Sequence, residues 1–87
     1  MEIKELDIVV LTETLITKQF ETGEAILLQQ GQVGTVVMEL GDNRFEVEFA
    51  GRDGIPYAME TLSAAQLFVL HQEPLPVFNG VVPEGIA

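Results

Sequence analysis

Three arrangements in the 87-residue sequence have residue types and spacings that could do chemistry. The first is a pair of carboxylates, Glu46 and Glu48, two positions apart in an alternating run. Two carboxylates on one face can serve general acid–base catalysis when their surroundings set them different tasks. The second is His71, the only histidine, with Ser63 eight positions before it. A serine becomes a nucleophile when a base holds its hydroxyl. The third is Gly31-Gln-Val-Gly34, which has the spacing of a loop that clamps a nucleic-acid backbone.

Each arrangement has a plainer reading, and in each case the plainer one is preferred. Glu46 and Glu48 alternate with Phe45, Val47 and Phe49, so they belong to the wet face of a strand and are solvated there. His71 falls at the end of the last expected strand, and Ser63 is better placed to cap a helical turn. The Gly-x-x-Gly loop lacks the helices and basic residues that a nucleic-acid clamp needs, so its glycines read as a tight turn into a strand. Asp42 and Asp53 sit in turn sequences, where short acidic side chains bond nearby backbone. No run of oxygen ligands has the close spacing of a calcium loop. The chain has no cysteine, which removes thiol catalysis, disulfides and thiolate metal sites together. The reading is of a protein that is not an enzyme and has no cofactor and no metal.

The elements that position these residues are short strands. Residues 7–11 (Asp-Ile-Val-Val-Leu) form a β-branched apolar run of buried-strand length. Residues 13–30 are irregular and read as a long loop, with room for one helical turn near residues 25–28. Residues 33–40 and 44–50 flank Gly41-Asp42-Asn43 and are expected to form an antiparallel hairpin. Gly51-Arg-Asp-Gly54 is a second turn, and residues 57–62 make the next strand, with Tyr57, Met59 and Thr61 on one side. Residues 63–66 read as a single helical or 3-10 turn with Ser63 at its N-cap, before a closing strand at 67–70. Five short strands with a long first loop and tight hairpins describe a small barrel, which removes its strand edges by closing. Residues 74–87 are different in kind. They hold Pro74, Pro76 and Pro83 beside Leu75, Val77, Phe78, Val81, Val82 and Ile86, with Asn79-Gly80 as a turn signal.

Composition narrows the partners. Fourteen acidic residues against four basic ones give a net charge of −10. Nucleic-acid binding depends on Lys and Arg releasing phosphate counterions. Lys4, Lys18, Arg44 and Arg52 are too few and too scattered for that, and an anionic membrane surface is disfavoured in the same way. A basic protein is compatible with the charge, which also keeps a small domain soluble. No apolar run approaches the roughly 18 residues of a membrane span, and residues 1–7 lack a basic signal-peptide region, so the reading is cytoplasmic. A domain of this size buries only about 60% of the surface that its unfolded chain exposes, which leaves little stability in reserve.

Taken in order, Glu5-Leu-Asp-Ile-Val-Val-Leu-Thr, Gly31-Gln-Val-Gly-Thr-Val-Val, Phe45-Glu-Val-Glu-Phe, Tyr57-Ala, Thr61-Leu, Gln66-Leu and Val69-Leu-His-Gln-Glu-Pro form a pattern. It closely resembles a family of small bacterial proteins, domain of unknown function 4926, from about residue 3 to about residue 74. The order and spacing of the segments carry the likeness, and no single motif does. The resemblance implies an SH3-like barrel and no activity. Two stretches depart from it: the first loop, residues 14–30, is longer than in many relatives, and the tail beyond Pro74 lies outside the pattern. More distantly, the plan resembles accessory barrels of electron-transport enzymes, which dock on larger proteins.

The sequence is therefore read as an all-β, SH3-like five-stranded barrel over residues 1–73, with a short 3-10 turn before the last strand and an extended tail over 74–87. With no Trp and one Tyr, the fold carries no aromatic groove for proline-rich peptides. The expected function is that of a protein-interaction module in a bacterial, cyanobacterial host, binding a larger or basic protein in an antitoxin-like or immunity-like role. The alternative is a structural accessory subunit of an electron-transfer or metabolic complex. An exposed edge or the tail also offers a route to a homo-oligomer. The residues expected to meet a protein partner are Phe20, Ile26 and Leu27 in the first loop, Glu46 and Glu48 on the wet face, and Leu75, Val77 and Phe78 in the tail.

Overall fold

The computed structural model describes residues 2–77 and 79–81. Its strands are β1 (Ile8–Leu11), β2 (Leu15–Lys18), β3 (Ala25–Leu28), β4 (Val33–Gly41), β5 (Arg44–Ala50), β6 (Pro56–Ser63) and β7 (Leu67–Leu70). One 3-10 turn, Ala64–Gln66, separates β6 from β7. The chain is all-β, and the five strand pairings among the described residues are antiparallel.

The five strands expected from the sequence are present and form one sheet, in the order β6-β5-β4-β1-β7. Alternation explains β5: Phe45, Val47 and Phe49 are buried, whereas Arg44, Glu46 and Glu48 stand on the other face. The β4–β5 turn places Asp42 at φ 53° and Asn43 at φ 58°. A two-residue hairpin loop of the primed type needs positive φ at both positions, and short polar side chains tolerate it. Ser63 precedes the 3-10 turn as its N-cap residue, and its N–H donates to Gln66 Oε1 at 2.9 Å.

The two glycines of the Gly-x-x-Gly segment do different work. Gly31 has φ 90°, which makes it the turn residue. Gly34 lies inside β4, where an added Cβ would stand 2.7 Å from Val47 Cγ1 and 2.9 Å from Phe49 Cε1. Gly34 therefore leaves the space that the Val47 and Phe49 side chains fill.

The long first loop is a correction. Residues 15–18 and 25–28 form a second, two-stranded sheet, an arm hairpin with Leu15 opposite Leu28 and Thr17 opposite Ile26. Thr14 Oγ1 fastens its base by accepting the Gln30 N–H at 2.9 Å. The arm's inner face carries Leu28, fully buried, with Leu15 and Ile26 packed against the core. That core is drawn from residues between Ile3 and Val69. Near its tip the arm meets β6: the Phe20 N–H donates to the Tyr57 carbonyl at 3.0 Å. The Thr17 hydroxyl donates to Glu60 Oε1. Among the described residues no ladder joins β2 to β6, so the arm and the sheet remain separate ladders along this seam.

Candidate interaction surfaces

The cross-strand register assembles the outer face of the sheet. Glu48 lies between Thr35 of β4 and Met59 of β6, and Glu46 lies between Met38 and Thr61. The Thr61 hydroxyl donates to Glu46 Oε1. Both carboxylates are half-buried among these neighbours and remain open to solvent. They are held on the middle of a sheet whose opposite side is the core, so their positions are fixed by buried Val47 and Phe49. Rigid placement of this kind suits recognition, because little ordering remains to be done on binding.

The same face changes character toward β7. The rows Leu70–Ile8–Thr35 and Phe68–Val10–Val33 put apolar side chains outward. Phe68, Val33 and Leu70 are 54%, 50% and 41% exposed. Beside them, a turn closed by the Asp7 N–H on the Lys4 carbonyl (3.1 Å) and the Lys4 N–H on Asp7 Oδ2 (2.9 Å) holds Leu6 at φ 72°. Leu6 is 78% exposed, so a bulky residue sits in the left-handed region with its side chain in water. The sequence reading missed this patch, because residues 7–11 read as a buried strand and the closing strand 67–70 shows no polar alternation to mark an outer face.

The arm divides the expected residues. Phe20 is exposed at the tip, and Leu27 is exposed opposite Ile16. Ile26 differs from them: it pairs with Thr17 on the inner face and packs partly buried against the core, so less of it is open to a partner. Ile16, the most exposed apolar residue of the arm strands, and Met59 were missed; only the register shows that they face outward. Phe20, Ile16 and Met59 line one groove of about 650 Å³ between β2 and β6. Because Met59 also pairs with Glu48, this groove adjoins the acidic pair.

Leu75 and Val77 are both exposed and follow β7 outside any strand. Phe78 lies outside the described residues. Asn79 and Gly80 have φ 56° and 73°, the paired positive values of a tight reversing turn. His71 is exposed just beyond β7. Asp53 behaves as a turn residue, accepting the Ile55 N–H on Oδ1 at 2.9 Å. Among the described residues no group of three or more His, Cys, Asp or Glu side chains could hold a metal ion, and no helix is long and apolar enough to cross a membrane.

Residues 5–69 match the domain of unknown function family DUF4926, and the chain belongs to that family. The match stops at the end of β7, so the tail lies beyond it. No protein of curated function and no solved structure matches the chain.

Proposed function

We propose that this chain is a non-enzymatic protein-interaction module whose acidic sheet face binds a larger, basic protein partner. The observation that carries the reading is the half-buried pair Glu46 and Glu48, fixed in the middle of a sheet face on a chain of net charge −10. A field of that sign steers a basic partner and selects against acidic ones. An antitoxin-like or immunity-like role in the cytoplasm of a bacterial, cyanobacterial host is the concrete form: the acidic face covers a basic site on a nuclease-type toxin. An SH3-like barrel is the fold reading that accompanies it. The strand order β6-β5-β4-β1-β7, the arm after the first strand and the single 3-10 turn before the last support that architecture. The Phe20–Tyr57 bond and the Thr17–Glu60 bond draw the arm toward the open side of the sheet.

The patch of exposed Phe68, Leu70 and Val33 around half-buried Ile8 and Val10 favours a second reading, a structural accessory subunit of an electron-transfer or metabolic complex. Permanent interfaces are more apolar than transient ones. The two readings separate in a capture of the tagged full chain from its native host. The acidic-face reading expects a basic partner that salt releases and that Glu46→Lys with Glu48→Lys no longer retains. A salt-resistant, cofactor-bearing complex that the double variant still captures would support the accessory reading and overturn the first.

A further inference from the structure

The acidic pair and the apolar patch lie on one continuous face. The register sets Leu70, Ile8, Thr35, Glu48 and Met59 in a single row across the five strands. Opposed residues of an antiparallel pair share a side of the sheet, so the whole row faces outward. The row Phe68–Val10–Val33 flanks it on one side, and Met38 with Glu46 on the other. Leu6 extends the apolar half toward the level of Glu46, because its N–H donates to the Val36 carbonyl at 2.7 Å. Neighbouring strands are about 4.8 Å apart, which puts Glu48 roughly 10 Å to the side of Ile8. Glu46 and Glu48 are about 6.8 Å apart along their strand. Arg44 follows on the same face beyond Glu46, at the hairpin end.

That layout sets the form of an occupant. Strands pair through their edges, and a sheet face offers no backbone groups. An extended segment laid on apolar side chains leaves its own N–H and C=O groups unpaired, whereas a helix bonds its own. A helix is about 10–12 Å across, enough to cover β7, β1 and β4 and bring its flank over β5. Residues four apart on it are about 6 Å apart along the axis, close to the spacing of Glu46 and Glu48. An apolar stripe with basic side chains at i and i+4 on one flank meets both halves of the face at once. A second copy of this chain is a poor occupant, because it brings a further charge of −10 to a face edged with carboxylates. Leu6 fits the helical occupant. It is held at φ 72° with its side chain 78% exposed, so the monomer keeps a strained residue whose side chain it does not bury. Strain of this kind gathers at binding positions.

We propose that this face takes an amphipathic helix of the partner protein, with its apolar side on Leu6, Ile8, Val10, Phe68 and Leu70 and the basic side chains of one flank on Glu46 and Glu48. The proposal rests on the acidic-face reading and names the element of the partner that the face holds. The carboxylates select the sign of the partner and the flank that it turns toward β5. The apolar half selects a segment whose hydrophobic residues recur at helical spacing.

Fluorescence anisotropy of three short synthetic peptides with the full chain tests this. The first carries a leucine stripe at helical spacing with lysines at i and i+4 on one flank. The second has the same composition in scrambled order, and the third keeps the stripe but replaces lysine with glutamine. The first is expected to bind at least about tenfold more tightly than either of the others. Leu6→Gly, and separately Phe68→Ser with Leu70→Ser, are each expected to weaken it about tenfold in a chain that stays folded, since all three side chains are exposed. A scrambled peptide that binds as tightly as the first would overturn the helix and leave the acidic-face reading standing. A glutamine peptide that binds as tightly, or undiminished binding of the first to the Glu46→Lys with Glu48→Lys chain, would overturn both. Full affinity in both patch variants, or no binding of any peptide, would overturn the proposal. So would a wild type that sediments as a dimer and that Phe68→Ser with Leu70→Ser returns to the single-chain mass, because a second copy would then cover the face.

Discussion

Strand β5 and the arm strands β2 and β3 use apolar residues in opposite ways. In β5 all three large apolar side chains, Phe45, Val47 and Phe49, are buried, and the charged residues face out. In the arm, Leu28 is buried, but Ile16 and Leu27 are 70% and 59% exposed as a cross-strand pair. An exposed isoleucine adds nothing to the hydrophobic stabilisation of the monomer. The sheet is the part that folds the domain. The arm outer face, the seam groove and the tail keep apolar surface that the monomer does not use. A small domain with little stability in reserve has reason to cover such surface with another chain.

The contrast can be broken at its stable end. Gly34→Ala puts a methyl group against Val47 and Phe49, where nothing nearby is free to retreat. The expected loss is about 1–3 kcal/mol of unfolding free energy, the usual cost of overpacking, and it is read from urea denaturation. A variant as stable as the wild type would show that the sheet core yields more than its burial indicates.

Thr17→Val acts at the junction of the two regions. It keeps the shape of a side chain that is 5% exposed and deletes the hydroxyl that Glu60 accepts. The expected loss is about 1 kcal/mol. Amide exchange should quicken along residues 15–28 while β4 and β5 stay protected. Uniform quickening would mean that the arm and the sheet open as one unit.

Leu6→Gly has the smallest expected effect and the opposite sign. It relieves a left-handed leucine, and glycine's greater freedom in the unfolded chain takes back part of the gain, leaving about 0.5 kcal/mol of added stability. Destabilisation instead would mean that the exposed leucine side chain holds the turn.

The sequence made the sheet legible where local signals agreed. Strict alternation marked β5, Gly41-Asp42-Asn43 marked the hairpin, and Ser63 as N-cap marked the 3-10 turn. The arm was illegible because Leu-Ile-Thr-Lys and Ala-Ile-Leu-Leu show no clean period, and the six-residue connection between them carries no two-residue hairpin signal. Ile26 and Leu27 show the limit plainly. They are adjacent and similar in character, and only the pairing of Ile26 with Thr17 turns one inward and the other outward. Glu46 and Glu48 could be placed on the wet face from the sequence alone. The cross-strand neighbours that complete that face, Thr35, Met38, Met59 and Thr61, depend on a register that no local pattern carries.

The most direct measurement of the central claim is a side-by-side capture from the native host. It uses the tagged wild type, the Glu46→Lys with Glu48→Lys variant, and the Leu75→Asp with Val77→Asp variant. The account predicts that a basic partner comes down with the wild type and with the tail variant, is released by salt, and is lost from the charge-reversed chain alone. Retention of the same partner by the charge-reversed chain, or its loss from the tail variant only, would contradict the claim that the acidic sheet face is where the partner binds.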